Sequence, residues 1–144
     1  MKVEKAEDVR LLAEKIILSL NFSHIKKERL FFYRSFSSKT RALARIWSFP
    51  SLWQEALNLP SYYIIEVVSE KFDKLDSEQQ AKVLIHELLH IPKTFSGALL
   101  PHRTGTFKLS QRTVNKMYQE YKRMNGRENE KGENLNAKLE INNP

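Results

Sequence analysis

His86-Glu87-Leu88-Leu89-His90 constrains this chain more than any other segment, because two histidines at this spacing converge on one point only if the backbone between them is helical. At i and i+4 the imidazoles project from the same face, one turn apart, and both reach a single ion at Zn–N distances of about 2.0–2.1 Å. Glu87 falls about 100° further around the helix, which keeps it out of the ligand shell but lets it take a proton from a metal-bound water. The neighbouring residues fit a packed helix over 78–91. Ala81, Leu84, Ile85 and Leu88 form one apolar face, Ser77 and Gln80 make an S-x-x-Q start, and Pro92 prevents clean continuation. The bland alternative is a pair of histidines on a solvated helix face with Glu87 an incidental neighbour.

A catalytic zinc takes three protein ligands and keeps an open fourth position. The chain has no cysteine, so disulfides, thiolate ligands and cysteine nucleophiles are excluded and any metal must be held by His, Asp or Glu. His102 is the natural third ligand. Pro92 ends the helix and Gly97 permits a reversal, so the chain can return to the metal, and three of the four histidines fall between His86 and His102. Glu120 is the alternative ligand, a purely structural loop histidine is the other reading of His102, and His24 is read as structural or exposed.

The rest of the sequence predicts an α+β domain over residues 1–125. Val9, Leu12, Ala13, Ile16, Ile17 and Leu20 make a helical stripe within 3–20. Segments 30–36 and 42–49 read as two strands with a short connection, 50–60 as a helical turn or ordered loop bracketed by prolines, and 62–68 as the clearest strand. A loop with Gly97, Pro101 and Gly105 precedes a last helix from Ser110, carrying Val114, Met117, Tyr118, Tyr121 and Met124 at helical spacing. Residues 126–144 are polar, Asn- and Glu-rich, and expected to be a disordered tail. The sum is a small sheet of three or four strands with the histidine helix packed on it, between an N-terminal and a C-terminal helix.

The formal net charge is +7, and the tail from Arg127 to Pro144 is not its source, holding three basic and four acidic residues. A basic body raises the prospect of a nucleic-acid partner, with Lys26-Lys27-Glu28-Arg29, Arg41 to Arg45 and Arg103 to Arg112 interleaved with Phe31, Phe32, Tyr33, Phe36 and Trp47. Strand aromatics equally serve as core, and the charge equally serves a solvated surface. No apolar run approaches the roughly 20 residues of a membrane span, and no signal peptide is visible, so no membrane association and a cytoplasmic, intracellular location are expected.

His86-Glu87-Leu88-Leu89-His90-Ile91-Pro92, with Gly97 and His102 downstream and Tyr63-Ile64-Ile65-Glu66-Val67 before it, resembles the metallopeptidases of phages and of archaea and their viruses, within the zincin superfamily. The likeness covers Leu30 to Tyr121, and only the histidine segment is specific. It implies a zincin-like fold, Zn2+ on His86, His90 and His102, Glu87 as catalyst, and a peptide or protein substrate. The chain departs from metzincins, since Pro92 and Lys93 occupy the H-E-x-x-H-x-x-G-x-x-H segment, and from peptide deformylases, which add a cysteine ligand. It is similar in scale, motif and charge to SprT-type proteases of DNA–protein crosslinks.

Zincin analogy also places the strand 62–68 along the cleft, pairing with extended substrate, with Glu66 as a possible orienter of a ligand histidine. Arg103, Tyr118 and Tyr121 are the candidates for a donor at the developing oxyanion. Two readings of other classes stay open: a basic nucleic-acid-binding module with structural zinc, and a metal-dependent nuclease.

Overall fold

The computed structural model describes the backbone of residues 2–104 and 107–141 and the side chains of residues 2–102 and 108–126. Strand β1 (Lys2–Lys5) leads into helix α1 (Glu7–Ser19), followed by strands β2 (Leu30–Phe36) and β3 (Ala44–Ser48). Next come the short helix α2 (Ser51–Leu57), strand β4 (Tyr63–Val68), the single turn α3 (Ser69–Phe72) and helix α4 (Ser77–Leu89). A ribbon of β5 (Arg103–Thr104) and β6 (Phe107–Lys108) precedes helix α5 (Gln111–Ile141). The tail expected to be disordered, 126–144, lies almost wholly outside the described side chains.

The four main strands form one mixed sheet in the order β1-β2-β4-β3, with β2 parallel to β4 and the other two pairings antiparallel. The segments 30–36 and 42–49 are therefore strands but not neighbours, because β4 inserts between them. The alternation of β4 sorts its residues: Tyr63, Ile65 and Val67 are fully buried towards the helices. On that face α1 contributes Val9, Ala13, Ile16 and Ile17, α4 contributes Ala81, Leu84, Ile85 and Leu88, and α5 adds Val114 and Tyr121. The architecture is α+β, helices on one face of a sheet.

Three local expectations are corrected by this arrangement. The helical stripe does not reach Val3: Lys2–Lys5 instead forms an edge strand on β2, with Val3 opposite Ser35, and the helix begins at Glu7. The start of α4 lies one residue earlier than the Ser77/Gln80 pattern suggests. Asp76 is the cap, its Oδ1 accepting from the Gln79 amide at 2.8 Å while the Gln79 side chain accepts from the Asp76 amide at 3.4 Å. Finally, β4 is an interior strand with both edges paired, so it has no free edge for a substrate strand. The edge on that side of the sheet belongs to β3.

Candidate metal centre

Helix α4 buries Ala81, Leu84, Ile85 and Leu88, and this fixes the direction of its other face. His86 lies in the last turn and His90 is the C-cap, still in right-handed helical conformation at φ −72°, ψ −17°, so the i, i+4 relation is kept through the helix end. The His90 and Ile91 amides close that end by donating to the carbonyls of Glu87 and Leu88, each at 3.1 Å.

His102 comes back to this face on the loop that follows. The three rings stand with centroids 5.0–5.3 Å apart, and one ring nitrogen from each lies within 4.8 Å of the others. The Nε2 atoms of His86 and His90 are 3.3 Å apart. Nitrogens 2.0–2.1 Å from a tetrahedral ion are separated by about 3.3–3.4 Å, so this pair is already spaced as two zinc ligands. The residues fit the metal.

The nitrogen not facing the cluster is also accounted for. His90 Nδ1 lies 2.5 Å from the Leu100 carbonyl oxygen, which can only accept, so Nδ1 carries the proton and Nε2 presents its lone pair to the cluster. The Leu100 amide in turn donates to the His90 carbonyl at 2.7 Å, tying the loop to the helix end twice. Burial, and then the neighbouring His90 and His102, push the His86 imidazole down to about 4. His90 is shifted in the same direction, first by burial, so both rings are neutral near pH 7 and suited to ligation.

Glu87 is 8% exposed and stands outside the histidine cluster. Burial pushes its carboxyl up to about 7, and a cation placed beside it would draw that value down again. Together with His86 it lines a cleft of about 360 Å³. The walls are apolar for much of their length, through Leu43, Leu75, Val83 and Val114, with Gln79, Lys82 and Gln111 as the polar side chains. Ala44, the first residue of the edge strand β3, also lines it.

Other sequence candidates fall elsewhere. Glu120 is exposed and pairs with Arg123. His24 is half-buried and packs against Phe22. Glu66 neither orients a histidine nor faces solvent: it is buried and accepts from Arg45 at 3.0 Å and the Trp47 indole at 2.8 Å. Tyr121 belongs to the core and Tyr118 packs against it, with the Lys82 ammonium over its ring, and neither lines the cleft. The Arg103 side chain lies outside the described residues.

Among the aromatics weighed for nucleic acid, Phe32 is buried in the core, while Phe31 and Trp47 are exposed on the opposite face of the sheet. What the sequence reading missed are the Leu100 carbonyl, a backbone group without a side-chain signal, and the cleft walls, drawn from four separate segments.

Residues 1–138 match the family described as "Putative phage metallopeptidase". The chain belongs to this phage metallopeptidase family. No curated protein and no solved structure matches it. Membership carries a metal-dependent peptidase as the general expectation, and the family's match extends over both the strand β1 and the helix α5 that the histidine segment alone does not predict. No described helix is long and apolar enough to cross a membrane.

Proposed function

We propose that the protein is a zinc-dependent peptidase, with His86, His90 and His102 holding the ion and Glu87 as the general base. The observation that carries this reading is the convergence of three imidazole nitrogens within 4.8 Å, with His86 and the neighbouring buried Glu87 carboxyl lining a largely apolar cleft. When bound, the ion supplies Lewis acidity, polarising the scissile carbonyl and making a water more acidic.

The chain's own residues do the remaining work. Glu87 takes a proton from the attacking water and returns it to the leaving amine, a double duty that suits a carboxyl whose affinity for protons is raised by burial. The free edge of β3, rather than β4, is the place for an extended peptide to add as a further strand, since it leads to Leu43 and Ala44 on the cleft wall. The adjoining walls of Leu75, Val83 and Val114 suit an apolar substrate side chain.

Metal analysis of the purified protein, combined with a peptide-cleavage assay, tests the reading. One equivalent of zinc and chelator-sensitive cleavage are expected, both lost in His86→Ala. Cobalt substitution separates the structural-zinc alternative, because a fourth protein ligand would close the open position that hydrolysis needs. Cleavage of nucleic acid rather than peptide, lost in the same variant, would replace the peptidase by a nuclease.

A further inference from the structure

The loop 92–102 supplies two things to the histidine cluster: His102 itself, and the Leu100 carbonyl that sets the His90 tautomer. Its course is not fixed by regular secondary structure. Phe95 takes φ +49° and Gly97 φ +96°, both in the left-handed region, so the path has to be held from outside. The holding group comes from the middle of the sheet. Tyr63, the first residue of β4, is fully buried up to its ring, and its hydroxyl accepts from the Gly97 amide and donates to the Ala98 carbonyl, each at 2.8 Å. The same ring packs edge-on against Phe95 with centroids 4.8 Å apart, and the neighbouring Ser61 hydroxyl donates to the Phe95 carbonyl.

We propose that Tyr63 is a positioning residue for the metal: its hydroxyl holds the loop in the conformation that brings His102 and Leu100 to the α4 histidines. The inference rests on the three-histidine reading above and goes beyond it by assigning the geometry of the third ligand to a strand residue that touches no ligand. Without the hydroxyl, the Gly97 amide and Ala98 carbonyl lose their shared partner. The loop then relaxes towards water while the ring keeps its place in the core. The two helix ligands remain where α4 puts them, and the ion loses the fixed approach of the third.

The test is zinc affinity, measured by competition with a chromophoric chelator, for the parent, Tyr63→Phe, His102→Ala and the double variant, with thermal unfolding of each metal-free protein alongside. Tyr63→Phe is expected to weaken zinc by about 10-fold or more, the scale of outer-shell losses. In the His102→Ala background the same substitution should cost less, because the ligand it positions is already gone. A general structural role would weaken both backgrounds equally.

Parental zinc affinity in folded Tyr63→Phe overturns the proposal, as do equal losses in the two backgrounds. Parental affinity in His102→Ala overturns the three-histidine reading instead, so the two failures are distinct. If Tyr63→Phe does not fold, Gly97→Ala reaches the same tether from the loop, outside the core. An added Cβ there runs into Gln54 Nε2 and is strained at φ +96°. Weaker zinc binding in that variant is expected, and unchanged binding overturns the proposal.

Discussion

Glu87 and Glu66 are both buried carboxyls, and their surroundings send them in opposite directions. For Glu87, burial is the one cause of a shift among the described residues, and it makes the proton more tightly held. Glu87→Gln keeps the side chain's size and removes the group that exchanges a proton. Peptide turnover should fall by about 10²-fold or more, the general-base range, while zinc content stays at the parental level. Retained turnover would remove Glu87 from the role of base, and lost zinc would make it a ligand.

Glu66 also pays for burial, but hydrogen bonds from Arg45, Ser35 and Trp47 outweigh it and hold its carboxyl below the usual range. A group whose folded pKa is depressed adds stability above its unfolded pKa and loses it as pH falls through the folded value. Unfolding free energy should therefore drop on acidification below about pH 4.5, and Glu66→Gln should flatten that drop. The same variant should lose about 1–3 kcal/mol at neutral pH, because the Arg45 and Trp47 donors keep a weaker acceptor. Denaturant titrations across pH check both statements.

Among the elements, α4 has the most exact requirement, since a shift of its register would turn His86 away from the cleft, take His86 and His90 away from His102, and turn Leu84 and Leu88 out of the core. The Asp76/Gln79 capping box sets where that helix starts. Asp76→Ala should destabilise the protein by about 0.5–2 kcal/mol, whereas Ser77→Ala, inside the helix, should cost a few tenths at most. Equal losses in the two variants, read from denaturant midpoints, would return the cap to Ser77. The one-residue error of the sequence pattern has a simple origin: Asp76-x-x-Gln79 and Ser77-x-x-Gln80 overlap, and both satisfy the rule.

Other elements were legible to different degrees for equally physical reasons. β2 and β4 announce themselves through runs of aromatic and branched residues. β1, four residues of Lys-Val-Glu-Lys, has no local signal and exists because β2 offers it an edge. The pairing of β2 with β4 across β3 and α2 is likewise a long-range fact, and it leaves the sheet edge on this side to β3 rather than β4.

On the scale of the molecule, the histidine cluster was readable because helix geometry fixes two of its members and the scarcity of histidine singles out the third. The supports were not readable. Tyr63 and the Leu100 carbonyl reach the cluster only through the tertiary path of the loop, and the cleft walls meet only where β3, α4 and α5 pack together. The strand order has one further consequence. All four strands of the main sheet lie within the first 68 residues, whereas the three histidines come after them. During synthesis from the N-terminus, the sheet is thus available before the segment that carries the cluster has left the ribosome. Its inner face, with Phe32, Tyr63, Ile65 and Val67, waits for α4 and α5 to cover it. Because α4, which carries His86 and His90, is itself part of that cover, burial of apolar surface builds the scaffold and the histidine cluster together, so an ion bound there would be a finishing step and not the nucleus around which a small zinc module must fold.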